Sequence, residues 1–451
     1  VSSTPLRVAI VGAGPAGIYA ADILSKSGLP VAIDLIERLP VPFGLVRYGV
    51  APDHPRIKQI ILALHKILER GDIRLLCNVD YGTDVGLAEL QRFYDAIVFS
   101  TGAVRDAALA VPGVELPGSL GAADFVSWYD GHPDVPDTWP LDAQQVAVVG
   151  AGNVALDVAR MLTKHADDLL PTEIPDHVYK ALATNPVTDV HLFARRGPAQ
   201  VKFSPLELRE LGKMRDVDVV VYPEDFEFDE GSMAAVHSSN QTKQVVKTLT
   251  DWTLREGEPT ATRRIHLHFL HRPVAVLGDE RVTGLRTERT VLTGDGSVAG
   301  TGQMHDWDVQ AVYRAVGYFG SPLTGLPFDE VAGVVPNREG RVIDADGEQM
   351  PGLYATGWIK RGPVGLIGHT KSDATETIRN LVADAEGLDR APERDVGAVV
   401  GFLAERGVEP VEWSGWMLLD AYEQALGARE GRERIKVVPR AEMLAIMRGE
   451  R

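Results

Sequence analysis

The chain opens with a mostly apolar run at residues 6–11 (LRVAIV), a helical pattern over 15–27, and a second apolar run at 31–36 (VAIDLI). Strand, helix and strand in that order predict a compact βαβ unit, because short apolar runs flanked by turn residues suit strands buried in a parallel sheet. The segment 94–103 (YDAIVFSTGA) predicts a closing strand, with a boundary after 104. Proline and glycine crowd 111–133, which reads as a crossing segment rather than an independent fold. The pattern then restarts, with a strand at 145–149, a helix over about 154–164 and a strand at 190–194. Between that helix and strand an inserted stretch lengthens the usual short connection. Residues 264–278 and 281–292 predict antiparallel strands, and 308–320 predicts another strand. The tail returns to the first style, with a hairpin and strand at 341–358 and a helix that begins near Thr370 and ends at Gly387. Amphipathic helices over 396–407 and 415–431 are expected to cover the sheet.

Each βαβ pattern carries a glycine turn at the same place. VAIVGAGPAG (8–17) and VAVVGAGNVA (146–155) are nearly the same string. A strand running through Gly-x-Gly-x-x-Gly into a helix aims the helix amino end at a pyrophosphate. In the first loop Gly12, Gly14 and Gly17 have the full spacing, and Glu37 ends the next strand, where an acid accepts from a ribose hydroxyl. A carboxylate there repels a 2′-phosphate, so the first loop suits FAD or NAD. In the second, Gly150 and Gly152 match, Asn153 and Val154 follow, and a small Ala155 stands in place of the third glycine. Arg195 and Arg196 occupy the strand end where Glu37 stands in the first unit, and paired guanidinium groups match a 2′-phosphate. One loop for FAD and one for NADPH is the expectation. The fold class is therefore α/β with two Rossmann-like dinucleotide-binding domains. An NADP domain (105–330) is inserted into a discontinuous FAD domain (1–104 and 331–451).

Composition narrows the partners. The net charge of -17 argues against nucleic acid or anionic lipid, both of which attract basic surfaces. No apolar run approaches the length of a membrane span, so neither membrane insertion nor nucleic-acid binding is expected and the protein reads as cytoplasmic. Cys77 is the single cysteine, which excludes an internal dithiol and reads as core filling. No metal site is expected, and a monomer is compatible with the pattern.

Five further strings accompany the loops: GLVRYGVAPDHP (44–55), GNVALDVAR (152–160), RRGP (195–198), SPLELREL (204–211) and GWIKRGPVGLIG (357–368). In this order the sequence resembles adrenodoxin reductase and the bacterial NADPH-ferredoxin reductases of that type, over nearly the whole chain. The resemblance implies FAD held by Ala13, Glu37, Leu45, Val79, Trp358 and the backbone of Gly365, Leu366 and Ile367. It implies NADPH on Gly152, Asn153, Val154, Ala155, Arg195, Arg196 and Glu207, with the nicotinamide reaching toward Gly365. Trp358 follows Gly357 where many two-nucleotide flavoproteins have an Asp, in agreement with this family. His369 stands where many relatives have Thr.

The implied reaction is hydride transfer from NADPH to FAD, then single-electron transfer to a ferredoxin-type iron-sulfur protein. With one cysteine, a flavin-to-dithiol reductase is excluded, as is an enzyme with cysteine-ligated clusters of its own. An NADPH-dependent flavin monooxygenase or a general NADPH diaphorase is the alternative. His54 and Asp157 lie inside the two strings that flank the expected flavin and nicotinamide. They are the candidate catalytic pair, with Asp157 orienting the imidazole. Because the chain is acidic overall, docking of an acidic ferredoxin requires a local basic patch, for which Arg209, Lys213 and Arg215 are the candidates.

Overall fold

The computed structural model describes residues 4–363 and 367–451. The chain forms two compact units, one of Val1–Arg105 with Tyr318–Arg451 and one of Asp106–Gly317. The discontinuous arrangement matches the expectation, but the chain returns to the first unit at Tyr318 and not at 330. The cause is visible in the packing: Leu323, Leu326 and Phe328 join the apolar cluster of Phe99, Val335 and Ile359 in the first unit.

The first unit is built on a seven-stranded sheet. Its spatial order is Asn337–Arg338, Arg341–Ile343, Gln349–Ala355, Ala96–Phe99, Leu6–Val11, Val31–Glu37, Ile73–Cys77. The last five strands are parallel and the first two are joined antiparallel. All six residues of Leu6–Val11 are buried, and period-two alternation divides them between two cores. Val8 and Ile10 join Leu35, Trp416 and Met443, whereas Ala9 and Val11 join Phe99, Val342, Val399 and Leu403. The expected C-terminal helices thus cover both faces, as Ala398–Glu405 and Trp413–Arg429, with a further helix at Arg440–Met447.

The second unit has a six-stranded, wholly parallel sheet ordered Ser119–Gly121, Ala311–Arg314, Gln145–Val149, Asp189–Phe193, Arg263–His268, Val217–Val221. A three-stranded antiparallel ribbon, His271–Leu277, Gly284–Leu292 and Val298–Trp307, covers one face. There Val276, Leu285 and Trp307 pack on Ala147, Val149 and Phe193.

Three readings need correction here. The 111–133 segment supplies an edge strand, Ser119–Gly121, and a helix, Ala122–Tyr129, whose Phe125, Trp128 and Tyr129 are buried. A three-residue strand is too short for its alternation to be read. Arg263–His268, expected as antiparallel, pairs parallel with both neighbours, and the antiparallel ribbon begins only at His271. Both stretches alternate polar and apolar residues, which says nothing about strand direction. The helix expected near Thr370 begins at Ile367.

Candidate functional site

In the first unit, Leu6–Val11 ends at Gly12 and the helix Pro15–Ser25 starts three residues later. Gly12 has φ of 109°, and a Cβ on it would lie 2.6 Å from the Ser100 carbonyl oxygen. A Cβ on Gly17 would sit 1.9 Å from the Gly12 oxygen, so the helix packs directly on its own turn. Gly14 caps this helix without any side-chain acceptor, and a Cβ there would meet nothing closer than Gly44 Cα at 3.9 Å. An uncapped amino end beside open space is a cradle that fits a pyrophosphate.

The remaining residues of the expected flavin site converge on this turn. Glu37 accepts from the Ala13 N–H at 2.8 Å and the Leu39 N–H at 3.0 Å, which leaves further lone pairs on both oxygens for a ribose. Burial pushes its carboxyl up, and the Leu39 and Ala13 donors oppose that shift. Phe43 donates its N–H to the Ala13 oxygen at 2.8 Å, which lays the 43–48 turn across the loop and places Leu45 at the start of the short helix Leu45–Tyr48. Val79 is buried and donates to the Glu37 carbonyl at 2.9 Å. Gly357, with φ of 76°, brings Trp358 against the same helix, since its Cβ would meet Ala16 Cβ at 2.7 Å. Gly365 and Leu366 lie outside the described residues, and Ile367 opens the helix Ile367–Asp384. His369 lies in its first turn and is exposed.

Three residues that shape this region were not singled out from the sequence. Phe43 has φ of 85°, a strained value for an aromatic residue, and its ring is held edge-on against Trp416 at 5.3 Å. Arg47 is fixed by a 2.5 Å ion pair to the fully buried Glu423, which also accepts from Val437 N–H at 3.0 Å. Asp373 accepts from the Gly357 N–H at 2.5 Å and the Thr356 hydroxyl at 3.1 Å. Each depends on residues far apart in sequence. The cysteine behaves as expected: Cys77 is buried, and desolvation, with the Glu37 charge, raises its thiol well above the ordinary range.

The second loop repeats the construction. A Cβ on Gly150 would lie 2.2 Å from the Ala315 oxygen, whereas one on Gly152 would meet nothing within 4 Å. Gly152 caps the helix Asn153–Thr163 with no side-chain acceptor, so this amino end also fits a phosphate. Asn153 is turned sideways, its Oδ1 accepting from Ser204 N–H at 2.8 Å. Val154 follows in the first turn, and Ala155 is fully buried behind it.

Arg195 and Arg196 follow the strand Asp189–Phe193. Their carbonyl oxygens are anchored by the Thr290 hydroxyl at 2.8 Å and the Leu270 N–H at 3.2 Å. Among the described residues neither guanidinium has an ion-pair partner, whereas most arginines of this unit are paired.

Of the candidate catalytic pair, His54 belongs to the first unit, where it is buried and begins the short helix Pro55–Lys58. Asp157 belongs to the second, where it pairs with Arg160 at 2.8 Å. Arg160 is itself buried and lies 3.5 Å from Glu207, so Asp157 and Glu207 share one cation. Glu207 stands in the first turn of Pro205–Leu211, capped by Ser204.

Comparison with known proteins bears on the family and the fold. Residues 6–212 match the family described as pyridine nucleotide-disulphide oxidoreductase. The chain is 40% identical to the NADPH-ferredoxin reductase FprA of Mycobacterium tuberculosis, over 98% of this chain and 99% of that protein. It is 36% identical to the mitochondrial NADPH:adrenodoxin oxidoreductase of Arabidopsis thaliana, over 98% and 96%. The structure of M. tuberculosis FprA in complex with NADPH superposes with a TM-score of 0.91, covering 99% of this chain and all of that one. The chain belongs to the adrenodoxin reductase-type NADPH-ferredoxin reductases. The matched residues 6–212 include both nucleotide loops. No helix among the described residues of the reductase is long and apolar enough to cross a membrane.

Proposed function

We propose that the first glycine loop of this reductase holds FAD and the second holds NADPH, with Arg195 and Arg196 receiving the 2′-phosphate. The carrying observation is the contrast between the two strand ends. Glu37 is engaged by its own loop, whereas Arg195 and Arg196 hold two positive charges without an ion-pair partner among the described residues, in the unit whose nucleotide helix is uncapped.

The chain is an oxidoreductase that moves electrons from NADPH through FAD to a ferredoxin-type acceptor. The flavin, when bound, supplies acceptance of a hydride and release of electrons one at a time. The residues around it bind and orient. The amino ends of Pro15–Ser25 and Asn153–Thr163 face the two pyrophosphates, Glu37 takes a ribose, and Trp358 with Leu45 and Val79 lines the first site. Glu207, held by Arg160, is placed beside the second loop. Asp157 and His54 orient the nicotinamide or hold a proton, since hydride transfer itself needs neither acid nor base. The acceptor docks on Arg209 and Lys213, both exposed, while Arg215 is partly neutralised by Asp168 at 3.1 Å.

Replacing Arg195 and Arg196 together by alanine tests the assignment. Each charge-assisted hydrogen bond to the phosphate is worth roughly a tenfold to hundredfold effect. The KM for NADPH is expected to rise steeply, that for NADH to stay nearly constant, and the flavin to remain bound. Full discrimination between NADPH and NADH in the double variant would place the 2′-phosphate elsewhere.

A further inference from the structure

Across one face of the parallel sheet of the second unit runs a ladder of imidazoles that no nucleotide loop uses. The rings of His191 and His266 stack with centroids 4.4 Å apart and 9° between planes, and His268 lies 5.3 Å from His191 at 14°. The hydrogen bonds fix every proton in this ladder. Asp189 is held ionised at about 2, because bonds from His266, Thr188 and Arg264 overcome the upward effect of burial. It can therefore only accept. It receives the Gln145 amide at 2.9 Å, so the Gln145 oxygen accepts from His191 Nε2 at 3.0 Å. His191 Nδ1 then carries a lone pair and accepts from His268 Nε2 at 3.0 Å. Along the second branch, Asp189 receives His266 Nε2 at 2.9 Å, and His266 Nδ1 accepts from the Tyr222 hydroxyl at 2.8 Å. The two branches end on lone pairs, one on His268 Nδ1 and one on the Tyr222 oxygen.

Both ends line a cavity of about 420 Å³ between the parallel sheet and the antiparallel ribbon. Its other walls include the rings of His271, His305 and Trp307, with His305 and Trp307 4.1 Å apart. The one arginine in the wall, Arg289, is neutralised by Asp225 and bonds the Glu224 carbonyl at 2.8 Å. The Glu224 carboxylate adds a negative charge. By strand alternation the Asn153–Thr163 helix lies on the opposite face of this sheet from the cavity, while His271 in the cavity wall donates its N–H to the Ala194 carbonyl at 3.1 Å, next to Arg195. Its volume is that of a small-ligand pocket. Flat ring walls, two ring-borne acceptors at the sheet end and the Glu224 carboxylate at the rim favour one ligand chemistry, while the Gln303 amide in the wall can donate or accept.

We infer that this cavity is a second ligand site in the NADP-type unit, and that it takes a planar nitrogen heteroaromatic bearing N–H donors, favoured when cationic. The ring lies against Trp307 and His305, its N–H groups point at His268 Nδ1 and the Tyr222 oxygen, and its charge faces Glu224.

Isothermal titration of the flavin-loaded reductase with 2-aminobenzimidazole tests this, with naphthalene-2-sulfonate as an anionic ring of similar size. Saturable one-to-one binding of the first probe is expected, unchanged by saturating NADP+, with the anion weaker by about tenfold or more. Glu224→Gln and His305→Ala change exposed side chains. Each should weaken the first probe by roughly five- to tenfold, as befits loss of a charge partner or of a stacking face, with an unchanged melting temperature. Three results would each overturn the inference: no saturable binding up to the solubility of the probe, competition by NADP+, or equal affinity in both variants.

Discussion

Gly17 and Ala155 occupy equivalent turns of the two nucleotide helices and tolerate different side chains. A Cβ on Gly17 would overlap the Gly12 carbonyl oxygen at 1.9 Å and press on Ser100 Oγ at 2.7 Å. Ala155 already carries one, fully buried, and still donates to the Gly152 carbonyl at 3.0 Å. Gly17→Ala must therefore push the helix off its turn, and the variant is expected to purify with little flavin, read as a fall in the ratio of 450 to 280 nm absorbance. Ala155→Gly should keep the KM for NADPH within about twofold and cost about 1 kcal/mol through helix propensity alone. Flavin retention in Gly17→Ala equal to that of the unmodified chain would show that the first loop relaxes freely.

At the scale of elements, the helix Ile367–Asp384 acts as a clamp on the turn after the strand Gln349–Ala355. Asp373 holds the Gly357 N–H and the Thr356 hydroxyl with one oxygen, and with the other pairs Lys360 at 2.9 Å. Lys360 is buried and reaches Glu376 at 2.6 Å, although Glu376 is much more exposed than Asp373. Where many flavoproteins place an acid directly after this strand, the reductase has Trp358, and a carboxylate from the following helix holds the turn. Asp373→Asn leaves Lys360 with one partly solvated partner and weakens the hold on Gly357. FAD affinity is expected to fall by on the order of tenfold while NADP+ affinity is unchanged, with a smaller loss in Glu376→Gln. Fluorescence of flavin released on dilution reads both variants, and equal release in Asp373→Asn and the parent would remove Asp373 from flavin binding. None of this was legible in the sequence. Asp373 and Gly357 are sixteen residues apart by numbering, and only the packing of the helix under the strand brings them together.

For the whole molecule, the buried imidazoles of the second unit set the response to acid. Desolvation holds His191 down at about 4, with the His266 charge adding to the effect, and burial lowers His266 and His268 as well. His271 is likewise held at about 4 by burial, with Arg289 and His305 reinforcing it. In the unfolded chain these groups protonate near 6.5, so below that pH the unfolded state binds more protons. The stability they contribute is complete above about pH 6.5 and is lost as pH falls toward 4, by up to about 1.4 kcal/mol per pH unit for each linked histidine. Calorimetry from pH 7.5 to 4.5 should show a melting temperature that drops steeply below 6.5. The slope should be shallower in His191→Gln, which gives up one of the linked protons. A melting temperature flat across that range would mean the ladder is charged in the folded state.

Two glycine turns, the acid and the arginines that close their strands, and the inserted arrangement of two nucleotide folds were written in the chain itself. They rest on local rules, because a tight turn demands glycine within a few residues and a buried parallel strand demands a continuous apolar run. Leu45, Val79, Trp358 and Glu207 came from the resemblance to the family, as expectations, and from no local rule. Tertiary structure alone decided the direction of Arg263–His268, the edge strand Ser119–Gly121, the strained turn at Phe43, the Arg47 to Glu423 pair and the imidazole ladder. Each of these needs a partner tens to hundreds of residues away, and alternation along one strand records which side chains point inward without recording what they meet there.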